Sequence, residues 1–128
     1  MLRILVVDDE PDIATSLKVG LQMKGFHVEA FDPLEALAKY KPRTYNLLII
    51  DLRMPNLNGI DLIREIRKND STPAVWILTA FEILEEEFDK LFGGIDVQNI
   101  VRKPISVNEL ASKISNELKK TERFVACR

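Results

Sequence analysis

The chain predicts an α/β domain in which one parallel five-stranded sheet is covered by helices on both faces. Three observations carry that expectation. Five short apolar runs, Leu2–Val7, Phe26–Phe31, Leu47–Ile50, Ala74–Leu78 and one inside Ile95–Val101, alternate with stretches of helical periodicity. Most of these runs are continuously apolar, as strands buried on both faces should be. Several end on polar groups: Asp8 and Asp9 after the first, Asp51 after the third, Thr79 after the fourth, and Arg102-Lys103 after the fifth. In an open α/β sheet functional groups collect beyond the carboxyl ends of the strands. Three acids, one hydroxyl and one ammonium should therefore share a cleft.

Each element has a local reason. Pro11 suits the first turn of a helix whose stripe is Ile13, Leu17 and Leu21, and Gly25 should stop it. The second strand alternates Phe26, Val28 and Ala30 with His27 and Glu29, the pattern of an edge strand with one wetter face. Asp32, Pro33 and Glu35 spell an acidic N-cap, a proline at the first helical position and a closing glutamate; Leu34, Leu37 and Ala38 are the expected apolar stripe. Arg53 to Gly59, with proline, glycine and two asparagines, reads as a structured loop at the cleft mouth, and Asn58 can cap the helix carrying Leu62, Ile63 and Ile66.

The loop Asn69 to Pro73 leads to the fourth strand. Leu84, Phe88, Leu91 and Phe92 predict a fourth helix ending at Gly93-Gly94, with Glu85, Glu86 and Glu87 on its solvent side. The fifth strand must lie inside Ile95–Val101, although Asp96, Gln98 and Asn99 interrupt it. Ser106 and Glu109 form a capping box for a last helix with Val107, Leu110, Ala111, Ile114 and Leu118 on one face. The domain is expected over residues 1–120, and Thr121 to Arg128 reads as a short tail.

Composition narrows the function classes. A length of 128 residues suits one domain with a sizeable core, and 46% hydrophobic with 30% charged residues describes a soluble globular chain. No apolar run approaches the roughly 20 residues of a membrane span, so no membrane insertion is expected. Met1-Leu2-Arg3 enters a strand directly and shows no signal peptide. The single Cys127 cannot form an internal disulfide, which suits the cytoplasm. A net charge of −2 offers no electrostatic case for nucleic acid.

Charge dictates what the cleft can do. Unit charges about 4 Å apart interact by roughly 4 kcal/mol at an effective dielectric near 20, so three clustered carboxylates need a cation among them. Lys103 can neutralise one. A hard divalent ion serves the rest better, and Mg²⁺ is the natural candidate because it keeps several waters and needs few carboxylates. Such a site beside a lysine suits phosphoryl transfer: metal and ammonium stabilise the transferring group, the Thr79 hydroxyl binds one of its oxygens, and a carboxylate acts as nucleophile.

Plainer readings of single residues stand beside this one. An acidic pair before a helix is often only an N-cap favouring the helix dipole. A lone threonine or lysine at a strand end means little. Trp76 is expected in the core and His27 exposed at the edge. Lys119, Lys120 and Arg123 complement the last helix's dipole rather than bind DNA, and Cys127 is an incidental tail residue.

Taken together, Asp8-Asp9-Glu10-Pro11, Asp51-Leu52-Arg53-Met54-Pro55 with Gly59, Thr79-Ala80 and Lys103-Pro104 resemble the receiver domain of two-component response regulators. The resemblance runs from Leu2 to about Leu118. It implies a flavodoxin-like (βα)5 three-layer sandwich of strand order 2-1-3-4-5. It implies that Asp51 accepts a phosphoryl group from a sensor histidine kinase or phosphotransfer protein. Asp9, Asp51 and the main-chain carbonyl of Arg53 would ligate Mg²⁺, with Asp8 acting mainly through a bound water. Lys103 would pair with Asp51 and then with its phosphoryl oxygens, Thr79 would move toward them, and the Lys103-Pro104 bond would be cis. A downstream protein partner or output domain would read the face made by the fourth helix, fifth strand and fifth helix.

Departures from the family pattern sharpen the expectation. The position three before the lysine, usually aromatic, is Ile100, so the family's usual coupling between threonine and ring is not expected there and the output face should switch weakly or by another route. Arg53 and Phe81, two positions beyond Asp51 and Thr79, should overhang the phosphoryl group and prolong its life. Competing classes are a phosphorylation-independent scaffold and a Mg²⁺-dependent aspartyl phosphatase, the latter disfavoured by Arg53 where a second acid would stand. A dinucleotide module is disfavoured because Asp8-Asp9 would repel a phosphate. A stand-alone receiver is preferred over the receiver portion of a longer regulator.

Overall fold

Alternate residues along the three inner strands point into opposite layers, and this alternation builds the molecule. The computed structural model describes residues 2–52, 59–80, 90 and 93–126, with side chains as far as Leu118. Strands β1 (Arg3–Val7), β2 (His27–Phe31), β3 (Leu47–Asp51), β4 (Ala74–Thr79) and β5 (Asn99–Arg102) form a parallel sheet of order β2-β1-β3-β4-β5. Helices α1 (Pro11–Met23), α2 (Pro33–Lys39) and α3 (Gly59–Asn69) and a C-terminal helix (Val107–Ala126) complete the described elements. This is the expected flavodoxin-like architecture. Ile4, Val6, Leu47, Ile49, Trp76 and Leu78 face the layer of α1 and the C-terminal helix. Leu5, Val7, Leu48, Ile50, Val75 and Ile77 face that of α2 and α3.

Caps and stops fall largely where expected. Pro11 opens α1, and Gly25 follows its end at φ +96°, a conformation that only glycine adopts without strain. Asp32 accepts the Glu35 amide at 2.7 Å while the Glu35 carboxylate accepts the Asp32 amide at 3.2 Å, completing the box at α2. The Ser106 hydroxyl accepts the Glu109 amide at 3.1 Å. At Gly20 a Cβ would lie 2.7 Å from Val107 Cγ1, so α1 and the C-terminal helix touch there only because the side chain is absent. Trp76 is buried and His27 exposed.

Three expectations need correction. In α2 the buried residues are Pro33 and Ala36, while Leu34 and Leu37 are exposed. The cap and Pro33 set the rotational phase of this seven-residue helix, and the small Ala36 permits its close approach to the sheet. β5 starts late within the expected window, at Asn99, and runs one residue past it to Arg102. Upstream, the Gln98 side chain takes the Val75 amide at 2.6 Å in place of a strand carbonyl. The last helix continues to Ala126 through the stretch expected as a tail, where neither glycine nor proline interrupts it. The expected fourth helix over Leu84 to Phe92, the Glu85–Glu87 run, the Asn58 cap, the loop from Arg53 and Cys127 lie outside the described residues.

A charged cluster at the carboxyl edge of the sheet

Register brings the acids together. Val7 pairs with Ile50 in the β1–β3 ladder, so the next residues, Asp8 and Asp51, emerge side by side. Asp51, the last residue of β3, is 4% exposed, Asp8 is 2% exposed, and Thr79 at the end of β4 is fully buried. Asp9 is half-buried at the rim. From beyond β5, Lys103 reaches past β4 and donates from Nζ to Asp51 Oδ2 at 2.5 Å. Its own amide donates to the Thr79 carbonyl at 2.7 Å, which anchors the lysine to the strand that carries the threonine. The Lys103-Pro104 peptide bond is cis. Arg53 and Phe81 lie outside the described residues.

Asp8 is incompletely satisfied. Its Oδ1 accepts the Glu10 amide at 2.9 Å, but the buried Oδ2 has no hydrogen-bond partner among the described residues. Burial pushes the Asp8 carboxyl up to about 6, against the Glu10 amide; the charge of Asp51 pushes the same way and Lys103 opposes it. No group of three His, Cys, Asp or Glu side chains forms a ready metal cage among the described residues. The donor chemistry still fits a hard cation. Asp8 and Asp51 lie beside one ammonium with Asp9 next in the chain, all donors are oxygen, and one buried Asp8 oxygen has no partner among the described residues.

A third buried carboxylate, which sequence reasoning passed over, sits at the opposite edge of the sheet. Asp70, 3% exposed, follows α3 and accepts from the Tyr40 hydroxyl (2.5 Å), the Arg43 amide (2.9 Å), the Thr72 amide (3.0 Å) and the Thr72 hydroxyl (2.6 Å). Burial alone would raise its pKa, but these four bonds outweigh it and hold the carboxyl at about 2. The Asp70-Ser71-Thr72 spacing, an Asx turn, was the available clue.

An acidic pocket at the carboxyl ends of β1 and β3, with a lysine presented from β5 and a threonine from β4, defines a signalling receiver class rather than a nucleotide-binding α/β module. The chain belongs to the response regulator receiver domain family, whose model matches residues 4–115. It is 32% identical over 123 residues to the response regulator ArlR of Staphylococcus saprophyticus, covering 94% of this chain and 54% of that protein. It is 34% identical to the alkaline phosphatase synthesis transcriptional regulatory protein PhoP of Bacillus subtilis, covering 94% and 50%. The chain thus spans about half the length of these curated relatives.

Among solved structures, a receiver domain protein from Clostridium thermocellum shares 29% identity at a TM-score of 0.80, covering 97% of this chain and 99% of that one. The response regulator TrrA from Thermotoga maritima, in complex with Mg²⁺ and BeF, shares 33% identity at a TM-score of 0.73, covering 91% and 98%.

Proposed function

We propose that this receiver is a phosphorylation-dependent switch in which Asp51 takes a phosphoryl group from a phosphohistidine of a sensor histidine kinase or phosphotransfer protein. The contact of Lys103 Nζ with Asp51 Oδ2 at 2.5 Å carries the reading. An Asp51 oxygen attacks phosphorus as the phosphorus–nitrogen bond to the donor histidine breaks, and the imidazole leaves with a proton. Lys103 holds the carboxylate in place before transfer and afterwards neutralises the acyl phosphate. The Thr79 hydroxyl, at the end of the adjacent strand, would meet a phosphoryl oxygen.

Asp8, Asp9 and Asp51 would hold Mg²⁺, together with the main-chain carbonyl of Arg53, and the orphaned Asp8 Oδ2 supports that assignment. Bound there, the ion would offset the charge that gathers on the transferring group. The family relationship supports a downstream protein or output domain as reader of the face made by β5, the C-terminal helix and the expected fourth helix. With Ile100 on β5, partly buried and opposite Ile77, this position supplies no ring to report the movement of Thr79, and the signal would leave by another route on this face. The reading implies a cytoplasmic location, where ATP-charged kinases act.

Incubation with acetyl phosphate and Mg²⁺, followed by intact-mass measurement, tests the proposal. A single phosphoryl adduct, absent in Asp51→Asn, is expected. Steady phosphate release without adduct would favour a phosphatase, and no reaction a scaffold. Phe81 replaced by a smaller polar residue should shorten the adduct's life.

A further inference from the structure

β5 is an edge strand, and burial does little to hold it in place. Of its four residues only Val101 is buried, whereas every residue of β3 and five of the six in β4 are. With so little apolar surface to set its register, the strand has to be fixed at its two ends. At the carboxyl end the Lys103 amide is tied to the Thr79 carbonyl. At the amino end stands a polar clasp that the phosphoryl chemistry leaves unused.

Gln98, the residue before β5, meets Val75 of β4 twice. Its amide donates to the Val75 carbonyl at 2.9 Å, and its side-chain oxygen accepts the Val75 amide at 2.6 Å. That same oxygen accepts from Arg67 of α3 at 3.2 Å. The Arg67 side chain is only 11% exposed, and its guanidinium spans two segments. Nη1 donates to the Pro73 carbonyl, just before β4, and Nη2 to the Asp96 carbonyl, shortly before β5, both at 2.8 Å. One rigid fork therefore ties the approaches to both strands. The Asp96 carboxylate, 3.9 Å away and largely exposed, adds little to it.

Register carries the effect to the far end of the strand. From Gln98 opposite Val75, the ladder runs from Asn99 with Trp76 to Arg102 with Thr79, and Lys103 is the next residue. A slip of one residue, about 3.3 Å along the strand, would break the bond of the Lys103 amide to Thr79 and carry Nζ away from Asp51 Oδ2. We infer that Arg67, acting through Gln98, is a positioning residue for Lys103: it fixes where β5 begins and so where the strand delivers its lysine. The inference rests on the reading of Asp51 as phosphoacceptor with Lys103 as its partner.

Two measurements on the whole chain test it: the rate at which acetyl phosphate with Mg²⁺ labels Asp51, and hydrogen exchange of the Lys103 amide relative to that of Ile49 in β3. Arg67→Met and Gln98→Met should each slow labelling at least about threefold and speed Lys103 exchange relative to Ile49 at least about tenfold. The double variant should be no worse than the more affected single one, because both changes open the same clasp. Gln98→Glu, which keeps the acceptor, should behave as the parent. Val28→Ala, a core truncation in β2 at the other edge of the sheet, should lower the melting temperature without slowing labelling or loosening Lys103 relative to Ile49. Parent-like labelling or parent-like Lys103 exchange in the two Met variants, losses that add in the double variant, or equal effects from Val28→Ala would each overturn the inference. A parent chain that takes no phosphoryl group would sink the reading of Asp51 instead, and Lys103 exchange would then decide the clasp by itself.

Discussion

Asp8 and Asp70 are both aspartates less than 4% exposed, one at each end of the same sheet, and their surroundings treat them in opposite ways. Asp70 at the amino edge accepts four hydrogen bonds and has its pKa held down at about 2. Asp8 at the carboxyl edge has one oxygen without a partner among the described residues, beside Asp51, and has its pKa pushed up to about 6. One carboxylate is saturated and ties Tyr40 and Arg43, before β3, to Thr72, before β4. The other is left wanting a cation. The same residue type thus serves stability where its hydrogen bonds are completed and, on the proposed reading, metal binding where one oxygen is left open.

The strongest way to break the comparison is chemical. Asp51→Asn should abolish phosphoryl labelling altogether, read by intact mass, while the circular dichroism spectrum stays that of the parent. Next in size is Asp70→Ala, which strands the Tyr40 hydroxyl and the Arg43 amide and should cost roughly 3–4 kcal/mol in urea unfolding. Asp8→Asn should do the reverse. Without metal at pH 7 it removes a buried charge but keeps an acceptor for the Glu10 amide, so unfolding should become harder by up to about 3 kcal/mol. A loss of stability there would show that Asp8 is satisfied after all.

Mg²⁺ at a hundred times its dissociation constant should add about 2.7 kcal/mol, read as a raised melting temperature. Asp8→Asn should diminish that gain and Asp70→Asn should not. The smallest effects are in pH. Asp70, with its folded pKa below the usual 3.8, contributes about 2 kcal/mol that is present above pH 4 and lost as pH falls toward 2. Asp8, with its folded pKa above 3.8, binds a proton more tightly in the folded state, so metal-free stability should fall as pH rises from about 4 to about 6. Urea midpoints across pH 2 to 7 should trace a rise and then a fall, and Asp8→Asn should flatten the second limb.

Much of the site was legible because strand ends are legible. Continuous apolar runs located β1, β3 and β4 to within a residue, and the polar groups that follow them had to emerge at one edge once the strands were parallel. Asp70 went unnoticed because its partners Tyr40 and Arg43 are about thirty residues away, and the local Asx turn with Thr72 marks a turn without marking burial. The exposed Leu34 and Leu37 show a related blindness: apolar periodicity gives a stripe, while the phase of a seven-residue helix is set by its cap and by what it lies against. β5 began late for the same kind of reason, since Gln98 is held by Val75 and by Arg67 from α3.

Sequence alone determined the class of fold and the strand edge at which Asp8, Asp51, Thr79 and Lys103 emerge, because hydrophobic periodicity and chain punctuation act within a few residues. Tertiary structure decided which carboxylate is satisfied and which is not, that Lys103 spans β4 to reach Asp51, and where β5 begins. Those outcomes depend on desolvation and on partners supplied by distant segments, and neither exists until the layers close.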